Sequence, residues 1–172
     1  MNQDVAIAQH PSRPRWPRPL LLAGSGVCCA AILLFPWMVL QGEAEAARSV
    51  RHVFSHLCHQ DPQRSLSLAG VFLPVCNRCL ALYLGGFLGV LLAAPARGRS
   101  DWLLGRRALL LGPLLLTGLD AGLDLAGVWN STLWSRVVTG GLAGLGLGLY
   151  LTLFLESRTR AGPVPHRGNV GQ

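Results

Sequence analysis

The stretch that decides the fold covers residues 76–94 and reads CNRCLALYLGGFLGVLLAA. A Cys-x-x-Cys pair stands at its start, and no charged residue follows Arg78 until Arg97. The length is close to the ~20 apolar residues that cross a bilayer as a helix. The sequence therefore predicts a membrane-spanning helix over 76–94 with Cys79 on its first turn.

Three further apolar runs have the length of a membrane-spanning helix, at residues 20–40, 108–129 and 134–155. The first follows a basic, proline-rich start, as a signal peptide does. It is longer than a typical h-region, however, and lacks a small-x-small cleavage site after it. We therefore predict an all-α fold, a four-helix transmembrane bundle over 20–155. The polar termini, 1–19 and 156–172, are predicted to be disordered.

Composition and charge agree with a lipid bilayer as the main partner. Hydrophobic residues make up 51% of the chain, and the mean hydropathy is +0.40, too apolar for an ordinary soluble fold. The net charge is +7, and all fifteen basic residues are arginine. They flank the apolar runs instead of lining one helix face, which argues against nucleic acid as a partner.

The arginines also predict the topology. Ten lie in residues 1–19, 95–107 and 156–172, against five in the other two connections. By the positive-inside rule, both termini of this multi-pass protein are cytoplasmic, and it lies in the cell membrane. Residues 41–75, between helices 1 and 2, are then extracytoplasmic.

That connection contains a predicted short helix that begins with the acidic residues near 43–47 and ends at Asp61-Pro62. At about 100° per residue, His52, His56 and His59 fall on one face of it. These histidines are either a ligand set or a solvated surface. Residues 65–75 are semi-apolar and are predicted to lie along the membrane interface.

The cysteines favour a metal site, and zinc is the leading candidate. Tetrahedral zinc needs four ligands. Cys76 and Cys79 have the spacing of a metal knuckle, and Cys58 or His59, about seventeen residues upstream, would contribute a third ligand. A site filled by protein ligands would be structural, whereas an open position would permit hydrolytic chemistry, so the sequence does not decide whether the protein is an enzyme.

Asp120 and Asp124 lie four residues apart on one face of the third predicted span. Each unpaired charge inside a bilayer costs about 2.5–3.5 kcal/mol, so both should face the bundle interior and have partners. One hypothesis pairs Asp124 with Arg136 as a structural ion pair. The other makes the two carboxylates metal ligands or proton acceptors.

Two alternatives to a metal site remain open. A cysteine at a helix N-terminus beside Arg78 has a favoured thiolate, so Cys76 and Cys79 would also serve a membrane thiol-disulfide oxidoreductase, with a quinone as cofactor. In the second alternative, the protein is a scaffold subunit whose cysteines only attach the connection 41–75 to the second helix. Separately, Gly140, Gly144 and Gly148 predict a close-packing helix face, within the chain or in a homo-oligomer.

Several motifs resemble a family of small prokaryotic integral membrane proteins catalogued only as a domain of unknown function. They are Cys58-His59-Gln60-x-Pro62-x-Arg64-Ser65, Cys76-x-Arg78-Cys79-x-x-x-Tyr83-x-Gly85, Asp120-x-x-x-Asp124, Asn130 and Arg136-x-x-Thr139-Gly140. The resemblance covers roughly residues 50–150. It implies a helical membrane fold and a shared site in which Gln60, Arg64, Arg78, Tyr83, Asn130 and Arg136 support the metal ligands. It implies no activity.

Overall fold

The computed structural model describes residues 17–96 and 100–160, and most of this part of the chain is helical. The helices are α1 (Pro17–Leu40), α2 (Ala44–Ser55), α3 (Asn77–Ala96), α4 (Ser100–Gly105), α5 (Arg107–Leu125) and α6 (Leu133–Arg160). The prediction of a mainly helical protein is confirmed. The disorder predicted at the two ends concerns mostly residues 1–16 and 161–172, which lie outside the described residues.

Within the described ranges, three helices are long and apolar enough to cross a membrane: α1, α3 and residues 133–159 of α6. They correspond to the first, second and fourth predicted spans. The third predicted span, 108–129, is largely covered by α5, which ends earlier, at Leu125. Three of the four predicted spans thus have the length and composition of a membrane-crossing helix, and the membrane crossing of α5 stays a prediction.

The connections differ from the sequence prediction in two places. The basic segment 95–107 contains the short helix α4. Residues 65–75 include a hairpin of β1 (Ser67–Leu68) and β2 (Val71–Phe72), an antiparallel pair. Ala69 and Gly70 both have positive φ, 50° and 78°, as the two-residue turn of such a hairpin requires. The hairpin brings the chain back from Cys58 to Cys76.

The closest helix packing joins α3 to α6, and glycines make it possible. A Cβ atom on Gly140, Gly144 or Gly148 would overlap the carbonyl oxygens of Arg78, Leu82 and Gly86 respectively. These glycines therefore let the two backbones approach within one chain. The predicted close-packing face is confirmed, and it packs within the chain, against α3. A homo-oligomer stays a prediction.

Helix α5 packs against α6, and the turn between them is specified locally. Gly127 has a φ of 69°, and the Val128 and Gly127 amides donate to the carbonyls of Leu123 and Asp124 at 3.1 and 3.3 Å. This is the glycine-dependent Schellman ending. Thr132 then accepts a hydrogen bond from the Ser135 amide at 3.2 Å, the usual N-cap contact. The turn places the end of α5 beside the start of α6.

Candidate metal centre

Cys58 lies just after α2, at the point where the helix unwinds. The helix ends at Ser55, and the Cys58 amide still donates to the Phe54 carbonyl at 2.9 Å. Gln60 then adopts a left-handed backbone with φ 53°, and its side-chain amide donates to the Arg51 carbonyl at 2.6 Å. Because the chain turns here, Cys58 is buried while the adjacent His59 is exposed.

Cys76 and Cys79 come to Cys58 from the other side of the hairpin. Cys76 directly precedes α3, and Cys79 lies on its first turn, as predicted. The Cys76 amide donates to the Cys58 Sγ atom at 3.2 Å. The Sγ atoms of all three cysteines lie within 4.8 Å of one another. We call these residues the cysteine cluster.

The cluster favours a thiolate at Cys58. Hydrogen bonds from the thiols of Cys76 and Cys79 lower the pKa of the Cys58 thiol well below its usual value, against the opposing effect of burial. A thiolate is the form of cysteine that binds metals and acts as a nucleophile. The cluster is therefore chemically suited to a cation or to thiol exchange.

One side of the cluster is apolar. Cys58 packs in a buried group with Ile32, Phe54, Leu73 and Val75, contributed by α1, α2 and the hairpin segment. The Tyr83 ring, predicted to support the site, lies edge-on to Phe54 with ring centroids 5.5 Å apart. This shell restricts solvent access from the direction of α1.

The other side carries an ion network, defined as Arg64, Arg78, Arg136, Asp120 and Asp124. Asp124 Oδ2 accepts from Arg64 Nη1 at 2.8 Å and lies 3.4 Å from Arg136 Nη2. Asp120 accepts from Arg78 Nη2 at 2.5 Å. The Asp124 side chain is only 1% exposed, so its charge depends on these partners.

The structure thus separates the predicted ligands into two groups. Of the six proposed ligands, only Cys58, Cys76 and Cys79 form a metal-ligand group among the described residues. Asp120 and Asp124 contact arginines, and the predicted ion pair of Asp124 with Arg136 is present. The two carboxylates thus accept from arginines instead of joining the sulfur atoms, and their role as metal ligands stays a prediction.

The histidines do not form the predicted three-membered face. Their prediction assumed that α2 continues to residue 61, but the helix ends at Ser55. His52 and His56 are exposed and contact each other edge-on at 5.0 Å. His59 lies beyond the helix end and lines the cavity beside the cysteine cluster. Asn130, also predicted to support the site, is exposed in the turn between α5 and α6.

Sequence reasoning missed Ser131 as part of the ion network. Its hydroxyl accepts from Arg136 Nε at 2.8 Å and from Arg78 Nη2 at 3.1 Å, and its amide donates to Asp124 Oδ1 at 3.4 Å. Ser131 is buried and so joins two arginines to one carboxylate. The only signal in the sequence is a small polar residue close to both Asp124 and Arg136.

A cavity of about 380 Å³ separates the cysteine cluster from the ion network. Its lining includes the three cysteines, His59, Gln60, Asp61 and three arginines, with apolar contributions from Leu57, Ala121 and Leu125. The cavity gives a small molecule room to reach the sulfur atoms.

We expect Asp124→Asn to lower the free energy of unfolding by about 3–5 kcal/mol, because it removes the charge of a buried carboxylate that Arg64 and the half-buried Arg136 share. The measurement is thermal unfolding of detergent-solubilised protein. Asp61→Asn is the matched control, since Asp61 pairs with Arg64 at 3.2 Å but is 38% exposed, and its loss should cost about 1 kcal/mol or less. Equal, small shifts for both variants would contradict a stabilising role of the network.

Comparison with known proteins places these features in a wider group. Residues 58–150 match the family described as "Predicted membrane protein (DUF2085)". The chain is 29% identical over 132 residues to an uncharacterized protein of Methanocaldococcus jannaschii, which covers 73% of this chain and 85% of the relative. It is 37% identical over 98 residues to an uncharacterized protein of Methanothermobacter thermautotrophicus, covering 56% of this chain and 85% of the relative. No solved structure matches.

Proposed function

This chain belongs to the DUF2085 family of membrane proteins, and on that premise we propose that it is a membrane metalloprotein in which Cys58, Cys76 and Cys79 bind zinc. One observation carries the proposal: the three Sγ atoms lie within 4.8 Å of one another. Sulfur ligands of a tetrahedral zinc ion are separated by about 3.8 Å, since each Zn–S bond is about 2.3 Å long. Small side-chain adjustments would therefore bring all three sulfurs onto one ion.

The identity of the donors supports zinc among the available cations. Thiolates are soft ligands that select zinc, monovalent copper or iron–sulfur clusters, and they disfavour magnesium and calcium. Zinc is the common partner of a Cys-x-x-Cys knuckle joined by a third cysteine. The backbone hydrogen bond from Cys76 to the Cys58 sulfur would help to orient that ligand.

The fourth coordination position is proposed to face the cavity. His59, Asp120 and Asp124 do not join the three sulfurs in one group, whereas all three cysteines line the cavity. Catalytic zinc sites commonly have three protein ligands and an exchangeable water. When bound in this way, zinc acts as a Lewis acid and activates the water for hydrolysis. The arrangement supports a catalytic site more than a purely structural one.

Thiol-disulfide exchange is the second candidate, because the lowered pKa of Cys58 also suits a nucleophile next to a Cys-x-x-Cys pair. It would require an oxidant such as a membrane quinone. A disulfide within the cluster would leave the third sulfur unpaired, whereas one metal ion uses all three. For this reason we favour the metal site, also over a scaffold in which the cysteines serve only for packing.

The test is elemental analysis of detergent-purified protein, paired with alkylation of the denatured chain with and without reductant. The metal hypothesis predicts about one zinc per chain and thiols that react fully without reductant. The redox hypothesis predicts little metal and two thiols that react only after reduction. The scaffold hypothesis predicts neither metal nor a disulfide.

We also propose that α5 is the fourth membrane crossing, with both termini cytoplasmic and the cysteine cluster on the outer side. The arginine distribution supports this topology. Three of its five apparent exceptions have a structural explanation, because Arg64, Arg78 and Arg136 pair with Asp120 and Asp124. Their charges are therefore largely neutralised within the protein.

Epitope tags are expected to report opposite accessibility at two positions. A tag inserted in the exposed turn between Ala69 and Gly70 should bind antibody on intact spheroplasts, whereas a tag at the C-terminus should bind only after lysis. If α5 does not cross the membrane, the chain has three spans and its termini lie on opposite sides. A C-terminal tag that is accessible on intact cells, together with a protected N-terminal tag, would contradict the four-span topology.

A further inference from the structure

The cavity beside the cysteine cluster has a second, basic wall. Arg64, Arg78 and Arg136 line it, and they come from the connection after α2, from the start of α3 and from the start of α6. Asp61 is the single acidic residue of the lining among the described residues. Three guanidinium groups from three segments of the chain therefore meet at one small cavity.

The buried carboxylates lie behind these arginines instead of in the cavity. Asp120 and Asp124 accept hydrogen bonds from Arg78 and Arg64, yet neither is part of the cavity lining. The formal charges of the three arginines are balanced by these two acids and Asp61. The acids hold the guanidinium groups in position, so the wall of the cavity presents mainly arginine hydrogen-bond donors. This placement favours an anion even though the formal charges balance.

The arginines retain unused donors. Arg78 bonds through Nη2 to Asp120 and Ser131. Arg64 bonds through Nη1 and Nε, and Arg136 through Nε and Nη2. In the part of the chain that is described, one terminal nitrogen of each thus remains available.

We propose that this cavity binds a phosphate group. Guanidinium groups match phosphate oxygens in pairs of parallel hydrogen bonds, and a tetrahedral phosphate offers acceptors to several arginines at once. A carboxylate would be satisfied by one arginine, so three converging arginines favour phosphate. The site is built from arginines that are not metal ligands, and the inference goes beyond the proposed zinc site.

The rim of the cavity suggests how the phosphate is carried. Leu57 and Leu125, which line it, are 72% and 70% exposed. An apolar rim next to a phosphate pocket suits an amphiphile whose head enters the cavity while its chain lies against the rim. The same pocket chemistry would also accept free phosphate, so the source must be decided by experiment.

The experiment compares two probes on the full-length protein. Binding of inorganic phosphate is measured by calorimetry in an uncharged detergent. Retention of phosphatidic acid is measured by native mass spectrometry after transfer from phosphatidylcholine nanodiscs that contain it. Saturable binding of inorganic phosphate identifies free phosphate as a ligand. Retention of phosphatidic acid without binding of inorganic phosphate identifies a lipid phosphate as the ligand.

Two variants decide whether the arginines are responsible. Arg78→Lys keeps a cation opposite Asp120 but removes the paired donors of the guanidinium group, and it should weaken binding about tenfold or more. Arg48→Gln is the control, because Arg48 lies on α2, pairs with Glu45 and is 71% exposed. It removes an arginine together with its charge outside the cavity and should leave affinity unchanged.

Zinc content is measured in the same samples, so that loss of metal is not mistaken for loss of phosphate binding. If Arg78→Lys fails to fold or loses metal, Arg64→Gln provides the same comparison, because Asp124 keeps its contact with Arg136. The proposal is overturned if the unmodified protein binds neither probe, or if the arginine variants of the cavity bind as tightly as Arg48→Gln.

Discussion

Cys76→Ser is expected to lower bound zinc from about one ion per chain to less than about 0.2, because a two-sulfur remnant cannot hold the ion against solvent. Cys58→Ser and Cys79→Ser should have the same effect, since each sulfur belongs to the same cluster. The measurement is elemental analysis of the purified variants, with protein folding checked by size-exclusion elution and circular dichroism.

Cys29→Ala is the matched control for these variants. Cys29 is also buried, but it lies in α1, and its thiol donates to the Tyr83 carbonyl at 3.5 Å. Its loss should leave zinc content unchanged while removing one thiol from the chain. If the unmodified protein already holds less than about 0.2 zinc per chain, and Cys76→Ser does not change that value, the metal hypothesis fails.

Part of this arrangement follows from local sequence and part does not. The helices α1, α3 and α6 are predictable as candidate spans because long apolar runs with few charges have few alternatives to crossing a bilayer. Cys76 and Cys79 are likewise predictable as a pair, since their spacing alone places them on one helical turn. Their contact with Cys58 depends on a hairpin whose Ala69-Gly70 turn carries a weaker signal than Asn-Gly.

Only part of the ion network can be predicted from the sequence. The pairing of Asp124 with Arg136 could be predicted because both lie near the turn that joins two adjacent predicted spans. The contacts of Arg64 with Asp124 and of Arg78 with Asp120 join residues 60 and 42 positions apart. Such contacts depend on how α3 and α5 pack around α6, which periodicity does not specify. The position of His59 is mispredicted for a simpler reason, because the sequence places the end of α2 at Asp61-Pro62, whereas the helix ends at Ser55.

Gly144→Ala is expected to destabilise the protein by about 3 kcal/mol or more, at the upper end of overpacking effects. The added Cβ would overlap the Leu82 carbonyl oxygen and lie 2.8 Å from the Gly86 amide nitrogen. Both are backbone atoms, so the clash is relieved only if α3 and α6 move apart. The measurement is the thermal unfolding midpoint in detergent.

Gly118→Ala on α5 is the control, because a Cβ at Gly118 meets no atom within 4 Å. In a helix that change should be neutral or stabilising by up to about 1 kcal/mol.

Gly144→Ala should also affect the ion network and the cysteine cluster differently. The cysteine cluster is held by the residues just after α2, the hairpin and the start of α3. Arg78 on α3, by contrast, reaches its partner Asp120 on α5, a helix that packs against α6, so this contact depends on α3 staying close to α6. Gly144→Ala in a folded fraction should therefore weaken the ion network while zinc content persists, and parallel loss of zinc would mean that the cluster also depends on this interface.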